Sequence, residues 1–179
     1  MKNGFTIIEL LITIFILSVG VIGIYSAFSA MIVFTNNASD QLQAAYLAQE
    51  GIEIIRNIRD TNWIHGEGEL WTAGLDSCVS GCKVDYTSTG ELLEVFFPGD
   101  YLKKDTDGFY RQMADGDPSK FQRKIIITPV VDQEDHAVDV VVEVSWDKKK
   151  DLISEGATAG GECQDINCVQ IQETLYDWY

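Results

Sequence analysis

A single carboxylate lies near the start of a long apolar segment. From Phe5 to Phe34 nearly every side chain is apolar or small, and no charged residue lies between Leu10 and Asn37. Glu9 interrupts this pattern, because a carboxylate deep in a bilayer costs about 2.5 kcal/mol or more. A buried carboxylate needs a cationic partner, so the position predicts an ion pair.

The apolar segment is long enough to cross a membrane as one helix. Its roughly 30 residues correspond to about 45 Å of α-helix, whereas the hydrocarbon core needs only about 20 residues. A secretory signal fits poorly, because the run is too long and no A-x-A-like site ends it before Thr35–Asp40. A plain signal anchor would explain Lys2 and the apolar run, but not Glu9.

The first ten residues, Met1–Leu10, resemble the prepilin processing motif of type IV pilins and type II secretion pseudopilins. In that family a prepilin peptidase cleaves after a Gly, methylates the new N-terminal residue, and leaves a Glu at the fifth mature position. The resemblance implies that Lys2 is the leader charge and Gly4 the cleavage residue. It also implies that Phe5 is the N-methylated terminus and that Glu9 acts in subunit assembly.

Helical geometry agrees with this resemblance. Cleavage before Phe5 creates an α-amine that is cationic near neutral pH. Glu9 lies one helical turn further along the same face, and a neighbouring subunit's α-amine can supply the cation. The alternative is that Glu9 only reaches the membrane interface. Lys2 predicts a cytoplasmic N-terminus under the positive-inside rule, which puts the C-terminal region on the other side.

The helix lacks the Pro that many family members carry in the first turns and has Gly20 and Gly23 instead. Gly weakens a helix interior by up to about 1 kcal/mol, which predicts local melting in a packed filament. Close helix packing through small residues is the alternative.

The helical pattern continues beyond the apolar segment. No Pro interrupts residues 5–60, and apolar residues recur at i+3 and i+4 in the second half. These features predict one helix of about 55 residues that ends near Asp60–Trp63. Its predicted amphipathic stripe consists of Leu42, Ala45, Tyr46, Ala48, Gln49, Ile52, Ile55 and Ile58 or Arg59.

The remaining residues show short β-rich runs joined by polar turns, which predicts an antiparallel sheet with the long helix across one face. The expected fold class is therefore α+β, as the pilin resemblance also implies. The C-terminal runs further resemble a minor-pilin head. The predicted strands are Leu92–Phe97 (stopped by Pro98-Gly99-Asp100), Phe121–Thr128, Ala137–Trp146 and Val169–Leu175, with a hairpin loop at Asp132–Asp135.

The predicted segments are a leader (1–4), a transmembrane or filament-core helix (5–34), its amphipathic continuation (35–61) and a globular β-rich head (62–179).

The four cysteines form two pairs that are close in sequence, Cys78 with Cys82 and Cys163 with Cys168. They lie in the predicted exported head, where oxidising conditions favour disulfides. Local pairing is the prediction, and cross-pairing between the two loops is the next possibility. A zinc site is the chemical rival, but neither pair has the C-x2-C spacing.

Two acidic turns, Asp105–Gly108 and Asp115–Asp117, resemble pieces of calcium loops. Both lack the spaced ligands and distal Glu of a full loop, so solvated turns without metal are expected. His65 and His136 are expected in loops, with no nucleophile motif nearby. These features predict a protein that is not an enzyme and has no cofactor.

The formal net charge is -15, with 13 basic and 28 acidic residues, which argues against nucleic acid as a partner. The resemblance implies a minor pilin that contacts prepilin peptidase, other pilin subunits and the inner-membrane assembly platform. It implies a single-pass precursor in the inner membrane with its head outside the cytoplasm, and later a pilus at the cell surface or in the periplasm. Two alternatives stay open: a pseudopilin of a type II secretion or DNA-uptake system, and a membrane-anchored exported binding module.

Overall fold

The computed structural model of the chain describes residues 6–65, 70–88, 93–112, 116–132, 136–146, 163 and 167–178. The described residues form one long α-helix followed by a seven-stranded sheet in which every pairing is antiparallel. This arrangement confirms the predicted α+β fold class. In chain order the elements are α1 (Ile7–His65), a short 3-10 helix (Asp76–Cys78), β1 (Cys82–Lys83), β2 (Glu94–Val95), β3 (Tyr101–Lys104), β4 (Tyr110–Arg111), β5 (Asp117–Pro129), β6 (Ala137–Ser145) and β7 (Cys168–Tyr176).

The longest strand, β5, organises the sheet. Along one edge it pairs with β6, which in turn pairs with β7. Along the other edge its first half pairs with β3, and Ile125 pairs with Cys82 of β1. The short strands β4 and β2 extend the sheet beyond β3 and β1.

The chain divides into two compact units, Met1–Asp40 and Gln41–Tyr179, and α1 contributes residues to both. We call them the N-terminal unit and the C-terminal unit. In the N-terminal unit, residues 6–39 are all exposed. In the C-terminal unit, α1 buries one side against the apolar core.

The buried side of α1 differs from the predicted stripe. Leu42 and Tyr46 are 57% and 63% exposed, and Gln49 is exposed as well. The spacing of apolar residues here fits two overlapping helical stripes, and only packing against the sheet selects one of them. The buried positions of α1 are Ala44, Leu47, Ala48, Gly51, Ile52, Ile54, Ile55, Ile58 and Arg59.

Gly51 lies where α1 approaches the sheet most tightly. A Cβ added there would lie 3.0 Å from Val142 Cγ1 and 3.3 Å from Ile125 Cδ1. These two residues are register partners on β6 and β5, so their side chains lie on the same face of the sheet. That face is therefore the one that packs against α1.

Three of the four predicted strands are confirmed with small changes of extent, as β5, β6 and β7. The predicted strand Leu92–Phe97 is too long at its C-terminal end, because among the described residues 93–97 only Glu94–Val95 pairs, and Phe96 is buried outside the strand. Leu92 lies outside the described residues. The expected turn at Pro98-Gly99 follows. Part of the predicted hairpin loop, residues 133–135, lies outside the described residues. No pattern in the sequence predicts β1, β3 and β4, because strands of two to four residues are too short for an alternating period to be visible.

We expect Gly51→Val to destabilise the C-terminal unit by about 1–3 kcal/mol, because the added methyl groups would overlap Val142 and Ile125. The matched control is Gln49→Val, which introduces the same β-branched residue at an exposed helix position and should change stability by less than about 0.5 kcal/mol. Urea unfolding of the full chain in detergent, followed by Trp emission, measures both. All four Trp lie after residue 60. Equal losses in the two variants would contradict the close approach at Gly51.

Candidate functional site

Glu9 occupies the first turn of α1, and Thr6 precedes the helix. The backbone N–H of Glu9 donates to Thr6 Oγ1 at 3.4 Å, and the Thr6 hydroxyl donates to Glu9 Oε2 at 3.4 Å. Thr-x-x-Glu is the sequence pattern of a capping box, and a negative charge is favourable at a helix N-terminus. The sequence contains this signal, and the interpretation of Glu9 as an ion-pair partner alone overlooked it.

The hydrogen bond from Thr6 leaves other acceptor sites of the Glu9 carboxylate available. Glu9 is exposed, and within the described part of the chain Thr6 is its hydrogen-bonding side-chain partner. An ionised carboxylate has about four acceptor sites, so a cation from outside this chain can still bind. Gly4 and Phe5 lie outside the described residues. The cleavage site, the methylated terminus and the assembly role of Glu9 therefore stay predictions.

The helix that follows Glu9 has the properties of a membrane span. α1 is long and apolar enough to cross a membrane by length and composition, and none of its most apolar stretch is buried within the protein. Three of its hydroxyl groups donate to carbonyls of the same helix: Thr13 to Leu10, Ser18 to Phe15 and Thr35 to Met31, each at 2.8 Å. Internal bonds of this kind are what a lipid environment requires of polar groups.

A buried arginine fastens α1 to the sheet in the C-terminal unit. Arg123 of β5 is fully buried and donates to the carbonyls of Leu47 and Val84, at 3.0 and 2.7 Å. Its Nη1 also donates to Glu50 Oε1 at 3.1 Å. Burial lowers the pKa of Arg123, and the Glu50 carboxylate opposes that shift. The β-rich run 121–128 predicted the strand but gave no sign of this anchor.

Two further arginines join α1 to the C-terminal strand and tail. Arg56 donates from Nε to Glu173 of β7 at 3.0 Å, and this hydrogen bond raises the pKa of Arg56. The guanidinium of Arg59 lies 5.2 Å from the ring of Trp63 and 5.6 Å from that of Trp178. The two indoles meet edge to face at 5.9 Å. These contacts hold the end of the chain against the helix.

The cysteines are joined in two local disulfides, Cys78–Cys82 and Cys163–Cys168. Their Cα–Cα distances are 4.8 and 5.4 Å, within the usual range for a disulfide. Cys78 ends the 3-10 helix and Cys82 begins β1, and both are fully buried. The first bridge therefore fixes the start of the sheet, and the second lies at the start of β7.

The acidic turn at Asp105 has a structural explanation. Its Oδ1 accepts hydrogen bonds from the N–H groups of Asp107 and Phe109, at 3.0 and 2.9 Å. No cluster of three or more potential metal ligands occurs among the described residues. Asp115, in the other acidic turn, lies outside those residues. His136 lies in a turn as expected, but His65 was wrongly predicted in a loop and is the last residue of α1.

Comparison with known families gives one match. The family described as "Prokaryotic N-terminal methylation motif" matches residues 1–25. The matched region contains Gly4, Phe5, Glu9 and both glycines of the apolar helix. No curated protein and no solved structure matches the chain.

Non-reducing tryptic mapping tests the local disulfide pairing. No Lys or Arg lies within residues 60–82 or 151–179, so each local pair should remain in one peptide. We expect peptides 60–83 and 151–179, each lighter by two hydrogens than its reduced form. A single species in which the two peptides are linked would contradict local pairing.

Proposed function

From the premise that the chain is a type IV pilin-like prepilin, we propose that it is a structural subunit, a minor pilin, of a type IV pilus. The observation that carries the proposal is the methylation motif over residues 1–25, followed directly by an apolar helix suited to a membrane. The α+β fold is that of a pilin. Motif and fold together favour a structural, non-enzymatic role.

Processing is the first step of the proposal. Prepilin peptidase cleaves between Gly4 and Phe5 and methylates the new α-amine of Phe5. The leader carries Lys2, and its removal leaves a chain that begins one residue before Thr6. The new α-amine is cationic near neutral pH. This cationic α-amine therefore favours an anionic partner, such as a carboxylate.

Membrane residence is the second step. Residues 5–34 hold the precursor in the inner membrane as a single pass, and residues 62–179 lie outside the cytoplasm as the head. The two disulfides support export of the head, because disulfides form and persist in oxidising compartments. Residues 35–61 continue the helix into the head region.

Assembly is the third step, and Glu9 directs it. Its carboxylate binds the α-amine of a neighbouring subunit's Phe5 as the helices stack in the filament, while the assembly platform of the inner membrane adds subunits. A Cβ added at Gly20 or Gly23 would meet no described atom within 4 Å apart from the adjacent backbone of the same helix. That open space supports close packing of a neighbouring helix at the two glycines. Local melting at the glycines stays the second prediction for the filament.

We expect Glu9→Gln to reduce the amount of chain in sheared surface filaments at least about tenfold, because the amide is neutral and cannot pair with the α-amine. The level of chain in the membrane should stay close to wild type, since an amide is less costly there than a carboxylate. Immunoblots of the sheared and membrane fractions measure both quantities. Thr6→Ala is the matched control: it removes the local cap but keeps the carboxylate, and it should still enter filaments.

Wild-type incorporation by Glu9→Gln would contradict the assembly role. The same experiment separates the candidate machines. A minor pilin enters the sheared surface fraction, whereas a pseudopilin of a secretion or DNA-uptake system stays with the cells even when surface pili are abundant. A head that acts alone as an anchored binding module would be insensitive to Glu9→Gln.

A further inference from the structure

A pocket of about 340 Å³ opens in the C-terminal unit, and neither processing nor helix assembly uses it. Ligand pockets in proteins typically measure about 300–1,000 Å³, so the volume suits a small organic group. Three aromatic residues and one acidic residue line it. The lining residues are Glu50, Tyr86, Phe109 and Tyr110.

The rings are held in place yet face solvent. Tyr86 and Phe109 meet edge to face with centroids 6.2 Å apart, and Tyr110 meets the buried ring of Phe121 at 5.7 Å. The backbone N–H of Phe109 is fixed by Asp105 at 2.9 Å. Even so, the side chain of Phe109 is 61% exposed. An exposed ring that is fixed in position loses little entropy when a ligand packs on it.

Glu50 supplies a fixed negative charge in the wall of the pocket. Arg123 binds its Oε1 from the buried side at 3.1 Å, while 38% of the Glu50 side chain stays exposed. The carboxylate has acceptor sites beyond that bond, because an ionised carboxylate offers about four. The two Nη groups of Arg123 donate to Glu50 and to two backbone carbonyls, so they are not available to a ligand.

One ring of the pocket already carries a cation. The guanidinium of Arg111 lies 4.9 Å from the centroid of Tyr86, a cation–π distance. The charge of Arg111 is balanced by Asp85, whose Oδ2 lies 3.7 Å from its Nε. Both arginines near the pocket therefore have acidic partners, and the chain as a whole carries a net charge of -15. The surrounding field favours cations over anions.

We propose that this pocket binds an organic ammonium group, of the quaternary or N-methylated class. The partially positive N-methyl groups pack on the faces of Tyr86, Phe109 and Tyr110, and the Glu50 carboxylate, which also pairs with Arg123, offers its remaining acceptor sites to the ammonium group. Several aromatic rings beside an acid are how proteins recognise choline and methylated lysine. The proposal does not depend on the pilus role, because all four lining residues belong to the C-terminal unit.

The test titrates choline into the full chain in a maltoside detergent, at constant ionic strength, by isothermal titration calorimetry. The uncharged control ligand is 3,3-dimethyl-1-butanol, which has the shape of choline but is neutral. We expect saturable binding of choline on the order of millimolar Kd, and binding of the neutral isostere at least about fivefold weaker. Equal affinity for the two probes, or no saturable binding of choline, would overturn the proposal.

Variants locate the site. Phe109→Ala should weaken choline binding roughly 3- to 30-fold. Phe97→Ala removes a ring of similar exposure, 55%, outside the pocket and should leave the affinity unchanged. Glu50→Gln should weaken choline but not the neutral isostere. If Glu50→Gln unfolds the chain, Phe109→Ala still tests the location of the site. Equal choline affinities of Phe109→Ala and Phe97→Ala would overturn the proposed location.

Two further ligands, titrated in the same way, distinguish the possible sources of the ammonium group. Phosphocholine represents a lipid headgroup, and trimethyl-lysine amide represents a methylated peptide side chain. Phosphocholine adds an anion, which the Glu50 carboxylate should disfavour, so we expect trimethyl-lysine amide to bind more tightly. Weaker binding of both than of the neutral isostere would overturn the proposal.

Discussion

The charge of Glu9 in the apolar first part of α1 is the constraint on which the proposed assembly depends. A carboxylate at membrane depth costs about 2.5 kcal/mol or more, whereas a helix cap contributes about 0.5–2 kcal/mol. The contacts with Thr6, at 3.4 Å each, belong at the weak end of that range. Local capping therefore offsets only part of the cost. In the proposed assembly the remaining cost is met by a cation from outside the chain, because removal of a leader that ends at Gly4 would create one on every subunit.

The C-terminal unit shows the same principle with buried cations. Arg123 is fully buried, and its two Nη groups donate to two carbonyls and to Glu50, whereas its Nε has no hydrogen-bond partner among the described residues. These contacts connect α1, β5 and the residue after β1, and they offset part of the cost of burying the charge. The same contact holds Glu50 in the wall of the aromatic pocket. The anchor that stabilises the fold thus also orders the carboxylate on which the proposed ammonium site depends.

Elements whose residue pattern extends over many positions could be predicted from the sequence. Features that depend on contacts between residues far apart in the chain could not. The Ile- and Val-rich runs of β5 and β6 predicted those strands, and the uninterrupted apolar run predicted the N-terminal part of α1. The wrong stripe at Leu42 and Tyr46 arose because local spacing cannot tell which helix face meets the sheet. Residues 50, 86, 109 and 110 meet only through the tertiary fold, so no spacing could reveal the pocket. The Thr6–Glu9 cap was visible in sequence and was overlooked.

The most direct test of the central claim is the intact mass and N-terminal sequence of the chain extracted from membranes that contain prepilin peptidase. We predict a chain that begins at Phe5 and is heavier by one methyl group than the unmodified cleavage product. A chain that still begins at Met1 would contradict it. In that case the methylation motif would not be used, and no subunit amine would be available at Phe5 to pair with Glu9.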